Sequence, residues 1–241
     1  MIESVDWLAD GSPHSPRFND RYRSRSGGLA QALAVFLAGC GLPERWRGRD
    51  QFTVLETGFG LGLNFLTTWA AWEADAQRCD VLHFVSVEGY PVAAADLVLS
   101  AQTPGPANEA DAHLLARVQV LALALAQVWP DLSPGLHHFS FANGQVQLTL
   151  AVGEVQPMLT TLLCEADAVY LDGFSPALNP DMWSLVTLQA VARHCHPGTT
   201  LASYTVASSV RAGLEQCGFC VQKCQGLPPK RHRLQALFAS S

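Results

Sequence analysis

Glu56, Glu88, Glu154 and Asp172 each stand where an apolar, strand-like run gives out. Carboxylates placed there can accept hydrogen bonds or protons from a ligand. Glu56 opens the stretch ETGFGLGLN, with Gly58, Gly60 and Gly62 at alternate positions. A triphosphate-binding loop needs Gly-Lys-Ser/Thr at its end, and this one continues Gly62-Leu63-Asn64. A dinucleotide fingerprint needs G-x-G-x-x-G, which the spacing does not match. A carboxylate immediately before the glycines would also repel a pyrophosphate and suits a cationic group.

S-adenosylmethionine carries an ammonium and a sulfonium and no phosphate, so it fits this loop. Glycines at 58 and 60 let such a cofactor pack directly on the backbone. Glu88 ends the next strand-like run, where a carboxylate can accept both hydroxyls of a ribose. Glu154 ends a third run and can accept from an adenine amino group. Asp172 follows AVYL and precedes GFSPALNPDMW. An acid beside Phe174, Pro176, Pro180 and Trp183 suits an amine: the carboxylate orients it or takes its proton, and the apolar wall excludes water. Taken singly, each carboxylate also reads as a loop residue facing solvent.

Positioning these groups on one edge requires a parallel sheet. Strand-like runs at 52–57, 81–88 and 166–174 alternate with helical runs at 62–74, at 91–101 with Pro91 in the first turn, at 114–129 and from Pro180 to Cys195. A hairpin is expected at 137–153 around Asn143-Gly144, a short helix after Glu154, and a strand over TTLASYTV. A helix over SSVRAGLEQCG should have a serine cap and a glycine stop. The runs FCVQKCQG and RLQALFA follow each other without a helix. The pattern predicts an α/β, Rossmann-like fold: a mostly parallel twisted sheet, an antiparallel C-terminal edge, and helices on both faces. Ligands in such sheets sit beyond the carboxyl ends of the strands. Residues 1–50 read as an N-terminal arm and helical appendage, and 51–241 as the catalytic domain.

The 241 residues are 49% hydrophobic and 15% charged, enough apolar material for a sizeable core. The net charge of −6 argues mildly against a nucleic-acid partner. Arginine is nonetheless clustered: Arg17, Arg21, Arg23 and Arg25 surround Phe18 and Tyr22, a composition able to stack on bases and neutralise phosphate. Lys230 and Arg231, with Arg45, Arg47 and Arg49, could extend a phosphate-tracking face. Seven cysteines, an odd number, and no secretory leader point to a reducing cytoplasm. Cys217, Cys220 and Cys224 read as small hydrophobes, and no metal site is expected. The apolar run 114–129 is too short for a membrane span and contains Arg117, so a buried helix and no membrane partner are expected.

The strings LETGFGLGLNFL, FVSVEGYP, VYLDGFSPALNPDMW and KRHRL resemble the methyltransferase domain of the bacterial bifunctional tRNA 5-methylaminomethyl-2-thiouridine biosynthesis proteins. The likeness runs from about residue 15 to 238. It implies a class I S-adenosylmethionine-dependent methyltransferase acting on the aminomethyl nitrogen of the tRNA wobble uridine, giving the 5-methylaminomethyl form. Carried over by position, Glu56, Gly58, Gly60 and Asn64 match the cofactor loop and Glu88 the ribose acid. Asp172, with Phe174 and Pro176, matches the acidic motif beside the substrate amine. Three positions depart from the family: Glu154 stands for an aspartate, Leu178 for a lysine, and Gln31 for an acid. The family pairs this domain with an FAD-dependent oxidoreductase acting upstream. No second glycine fingerprint for FAD follows through Ser241, so a stand-alone or excised methyltransferase is expected. A small-molecule amine methyltransferase and a non-catalytic S-adenosylmethionine-binding module remain alternatives on the same fold.

Overall fold

The computed structural model describes residues 2–24, 27–103, 111–228 and 230–239. Arg25 and most of the loop expected over 103–112 lie outside the described residues. Short strands β1 (Asp6–Trp7), β2 (Pro13–Ser15) and β3 (Asp20–Arg21) form a small antiparallel sheet. The helix α1 (Gly28–Gln31) runs on through a π-helical segment, Ala32–Leu37, and a 3-10 turn, Ala38–Cys40. It stops where Gly41 takes φ 72°, the left-handed cap expected for glycine. The main unit follows as β4 (Gln51–Glu56), α2 (Leu63–Ala74), β5 (Val81–Glu88), α3 (Ala94–Gln102) and α4 (Ala112–Gln127). It continues as β6 (Gly135–Phe141), β7 (Val146–Val152), α5 (Val155–Thr161), β8 (Ala166–Tyr170) and α6 (Leu185–Ala192). The chain ends with β9 (Cys195–Ser203), α7 (Ser208–Gln216), β10 (Phe219–Gln225) and β11 (His232–Phe238).

The eight-stranded sheet has the order β10-β11-β9-β8-β4-β5-β7-β6. The five strands from β9 to β7 are parallel. Both edges are antiparallel, not only the C-terminal one: β6 returns along β7, and β11 runs against β9 with β10 outside it. From β4 the chain moves outward through β5 to β7, then comes back to β8 on the other side. The crevice between β4 and β8 is therefore the switch point where a ligand is expected.

Side-chain parity divides the core. Phe52 and Val54 of β4, Leu82 and Phe84 of β5, and Ala168 and Tyr170 of β8 face α2 and α4. Leu55, Val85, Val87 and Val169 face α5, α6 and α7. Leu29, Phe36, Cys40 and Trp46, from the segment expected as an appendage, are buried in the α2-side core.

Several local expectations differ from the structure. The helix expected from Pro180 is two pieces, a 3-10 turn Pro180–Trp183 and then α6, because Ser184 turns extended and caps α6 through Thr187 N–H. Ala207, without a side-chain cap, stands at the N-cap of α7. Pro91 precedes α3 rather than starting it, and its carbonyl accepts from Glu3 N–H. The helix α4 buries Val118, Leu121 and Leu125 but leaves Val120 and Leu123 51% exposed, so it is amphipathic rather than buried throughout.

Candidate active site

The loop from Glu56 to Gly62 leaves β4 at the switch point. Gly60 and Gly62 adopt φ of 52° and 72°, the left-handed region that favours glycine, and Gly62 caps α2. Gly58 serves a different need. A Cβ there would lie 3.3 Å from the backbone oxygen of Asp172, so glycine lets the β4 and β8 loops touch. Thr57 fastens the same contact, its hydroxyl donating to the Asp172 carbonyl at 2.8 Å.

These loops floor a cavity of about 370 Å³, within the usual range for small-molecule sites. Gly58, Gly60, Asn64, Glu88, Glu154, Asp172 and Phe174, all expected at the site, line it. Glu88 accepts from Gly60 N–H at 2.7 Å and Tyr90 N–H at 2.8 Å. Burial pushes the Glu88 carboxyl upward. Glu154 is exposed at the start of α5 and opens on the cavity.

Asp172 accepts from Gly173 N–H and from Asn64 Nδ2, each at 2.9 Å. It opens partly on the cavity, yet loss of surrounding water pushes its carboxyl up to about 6 against the pull of these donors and of Lys230. Lys230 lies with Nζ 3.8 Å from the centroid of the Tyr204 ring, and desolvation lowers its pKa. Tyr204 in turn donates to the Gly173 carbonyl at 2.7 Å. This arrangement can hold an amine, accept its proton at Asp172, and disfavour a second positive charge nearby.

Four expected site residues do not line the cavity, Lys230, held over the Tyr204 ring, among them. Glu56 is fully buried and does not line the cavity. It pairs with Ser86 and Tyr170, two residues short of Glu88 and Asp172, and its side chain lies beneath Asn64 of α2. Pro176 builds the tight turn after Ser175, whose carbonyl accepts from Leu178 and Asn179, and does not line the cavity either. Arg231 is exposed on the turn between β10 and β11, outside the cavity lining.

The arginine cluster is corrected more broadly. Arg17 pairs with Glu3, Arg21 with Asp10, Arg47 with Asp75 and Arg49 with Asp167. Arg23 is buried, with its guanidinium donating to the carbonyls of Ser100, Gly11 and Thr103. Arg45 donates to the Gly198 carbonyl. Arg49 lies two residues before β4, at the amino end of the strands, opposite the cavity. These side chains serve the fold, and Arg45, Arg47 and Arg49 do not continue a face around the site.

The arm forms one side of the cavity, a role its sequence did not disclose. Phe18 stacks on Phe174 with centroids 4.6 Å apart, and Tyr22 meets Phe174 edge-on at 5.0 Å. Asp20 accepts from Ser175 N–H at 2.9 Å, tying the arm to the Asp172 loop. The four-residue spacing of Phe18 and Tyr22 was the only visible signal.

A parallel sheet with a glycine-floored, carboxylate-lined cavity at its switch point defines a Rossmann-like nucleoside-binding protein. The chain belongs to the S-adenosyl-L-methionine-dependent methyltransferases, whose family model matches residues 117–239. It is 56% identical over 239 residues to the tRNA 5-methylaminomethyl-2-thiouridine biosynthesis bifunctional protein MnmC of Acidovorax sp. (strain JS42), covering 99% of this chain and 36% of that protein. Identity to the protein of the same name from Paracidovorax citrulli is also 56%, with the same coverage. The chain thus spans about a third of the length of the curated relatives it matches. The crystal structure of MNMC2 from Aquifex aeolicus shares the fold, with a TM-score of 0.76 at 21% identity over 99% of this chain and 71% of that one.

The lining fits S-adenosylmethionine. Glu88 and Glu154 offer acceptors for hydroxyl and amino groups, and Gly58 lets the two loops of the floor close on each other. The cations that line the cavity, Arg21 and Arg23, are already engaged by Asp10 and by backbone carbonyls.

Proposed function

We propose that this chain transfers a methyl group to the aminomethyl nitrogen of 5-aminomethyl-(2-thio)uridine at the tRNA wobble position, giving the 5-methylaminomethyl form. The observation that carries the chemistry is Asp172, clasped by Asn64 and Gly173 and open to the cavity that Glu88 shares. The identity of the acceptor rests on the name of the relatives that match 99% of the chain.

S-adenosylmethionine, when bound, supplies the electrophilic methyl group. Glu88 holds its ribose hydroxyls, Glu154 its adenine amino group, and Gly58 and Gly60 its remaining surface. Asn64 supports the same loop. Asp172 takes an N–H proton from the acceptor ammonium, leaving a lone pair on nitrogen. Lys230 helps by its charge, since a like charge nearby disfavours the ammonium form. Phe174, with Phe18 stacked on it, excludes water from the amine. Pro176 shapes the loop that carries Phe174, and Arg231 reaches an RNA phosphate from the exposed turn. An FAD-dependent oxidoreductase, on the same polypeptide or separate, acts upstream to expose the primary amine.

Asp172→Asn keeps the shape and one of the two acceptor positions but cannot take up a proton at neutral pH. Turnover on aminomethyl-bearing tRNA is expected to fall by about 10²–10⁴-fold, while S-adenosylmethionine binding by calorimetry persists. Near-normal turnover would remove Asp172 from this role.

A second reading, methylation of a small free amine, is favoured by the net charge of −6 and by the internal pairing of Arg17, Arg21, Arg47 and Arg49. Comparable kcat/KM on a free aminomethyl nucleoside and on the tRNA would support it.

A further inference from the structure

Glu56 is a carboxyl group with no exposed surface, and among the described residues it makes no ion pair. Burying such a group costs free energy unless its oxygens are satisfied. Both are. Ser86, its register partner on β5, donates from Oγ to Oε2 at 2.7 Å. Asn64, in the first turn of α2, donates from Nδ2 to Oε1 at 2.9 Å. The same Nδ2 donates to Asp172 Oδ2, also at 2.9 Å. One amide NH2 group therefore spends its two hydrogens on two carboxyl groups from adjacent parallel strands, β4 and β8.

We infer that Glu56 is a positioning residue for the acceptor side of the reaction: it locks the Asn64 amide with its N–H toward Asp172, rather than contacting the methyl donor. The inference rests on the reading of Asp172 given above. An asparagine amide that faces a single carboxylate can rotate or flip, presenting its oxygen and repelling the charge. With Glu56 on its other hydrogen, the flipped orientation would set the amide oxygen against a carboxyl oxygen on both sides. The lock survives either protonation state of Glu56. When ionised, it accepts from both neighbours. When protonated at Oε2, it donates to Ser86 Oγ and still accepts from Asn64 at Oε1.

The titratable groups around Glu56 are Asp172 across Asn64, Glu88 from the end of β5, and Tyr170 from β8. All are anionic when ionised, and burial pushes the Glu56 carboxyl up to about 8. Burial thus favours the neutral form of Glu56, and its influence on Asp172 is orientational in either state.

The test is a series of variants assayed for kcat against pH on aminomethyl-bearing tRNA, with S-adenosylmethionine affinity measured in parallel. Glu56→Leu frees Asn64, so Asp172 loses a donor that favours its charged form. The acid limb should move to higher pH and kcat should fall by about tenfold or more, the worth of a hydrogen bond to a charged group, with donor affinity retained. Glu56→Gln can still accept from Asn64 and donate to Ser86, and should recover most of that loss. If Glu56→Leu does not bind S-adenosylmethionine at all, Asn64→Asp replaces the donor by an acceptor and must shift the limb the same way. A loss of donor affinity that accounts for the whole effect of Glu56→Leu, or an unshifted acid limb, overturns the inference. Full activity in Asp172→Asn would overturn the parent reading and this one together. An inactive Asp172→Asn beside an indifferent Glu56→Leu overturns this one alone.

Discussion

At the scale of single residues, the proposed role of Asp172 makes a prediction about pH. Its carboxyl, raised to about 6 by burial, must be ionised to receive a proton, so turnover should fall as pH drops through about 6. Lys230 opposes that rise, because a neighbouring cation favours the carboxylate. Lys230→Met should therefore move the acid limb of kcat to higher pH. A limb that moves down or stays fixed in a pH–rate profile would contradict this placement of Lys230. The placement of Glu88 and Asp172 at the cavity was legible in the sequence, because both end strand-like runs on the ligand edge. Glu56 was misplaced for a reason that register exposes. It pairs with Ser86 on β5 and Tyr170 on β8, so Glu88 and Asp172 each lie two residues further toward the carboxyl edge, and Glu56 sits one step deeper, under Asn64 of α2. A carboxylate next to a glycine loop suggests a ligand contact, but its depth in the sheet decides whether it reaches one.

At the scale of elements, the loops after β4 and β8 act as one piece, joined by the Gly58 contact and the Thr57 hydroxyl. The arm is a third piece of the wall, fixed by Asp20 to Ser175 N–H. Asp20→Ala removes a charged acceptor, a bond worth about 1.5 kcal/mol or roughly tenfold. The expected result is a rise of that order in KM for the acceptor, with Asp20→Asn, which keeps an acceptor oxygen, closer to the parent. Unchanged KM in steady-state kinetics would show that the arm does not shape the acceptor site. This closure was illegible beforehand. The contact joins residues 155 positions apart, and neither a lone aspartate nor a loop serine carries a periodic signal. The same limit explains the break at Ser184. A serine inside an apolar helical pattern reads as continuous helix until its hydroxyl is seen capping Thr187.

At the scale of the whole molecule, the alternation of strands and helices was enough to foresee a mostly parallel sheet and the edge on which its ligands gather. Strand order and the second antiparallel edge depend on long-range pairing that local pattern does not encode. Charge behaves similarly. Composition counts arginines, but only the fold shows that Arg17, Arg21, Arg47 and Arg49 are spent on internal carboxylates. On the proposed reading, a chain of net charge −6 must meet RNA through cations not paired in this way, and Arg231, exposed on the turn between β10 and β11, is a candidate. The acceptor is the central claim, and it is tested most directly by incubating the protein with isotope-labelled S-adenosylmethionine and tRNA whose wobble uridine carries the aminomethyl group, then analysing the nucleosides. The account predicts label in 5-methylaminomethyl-(2-thio)uridine, and none when the same tRNA lacks the aminomethyl group. Label at another nucleoside, or equal labelling of both tRNAs, would contradict it.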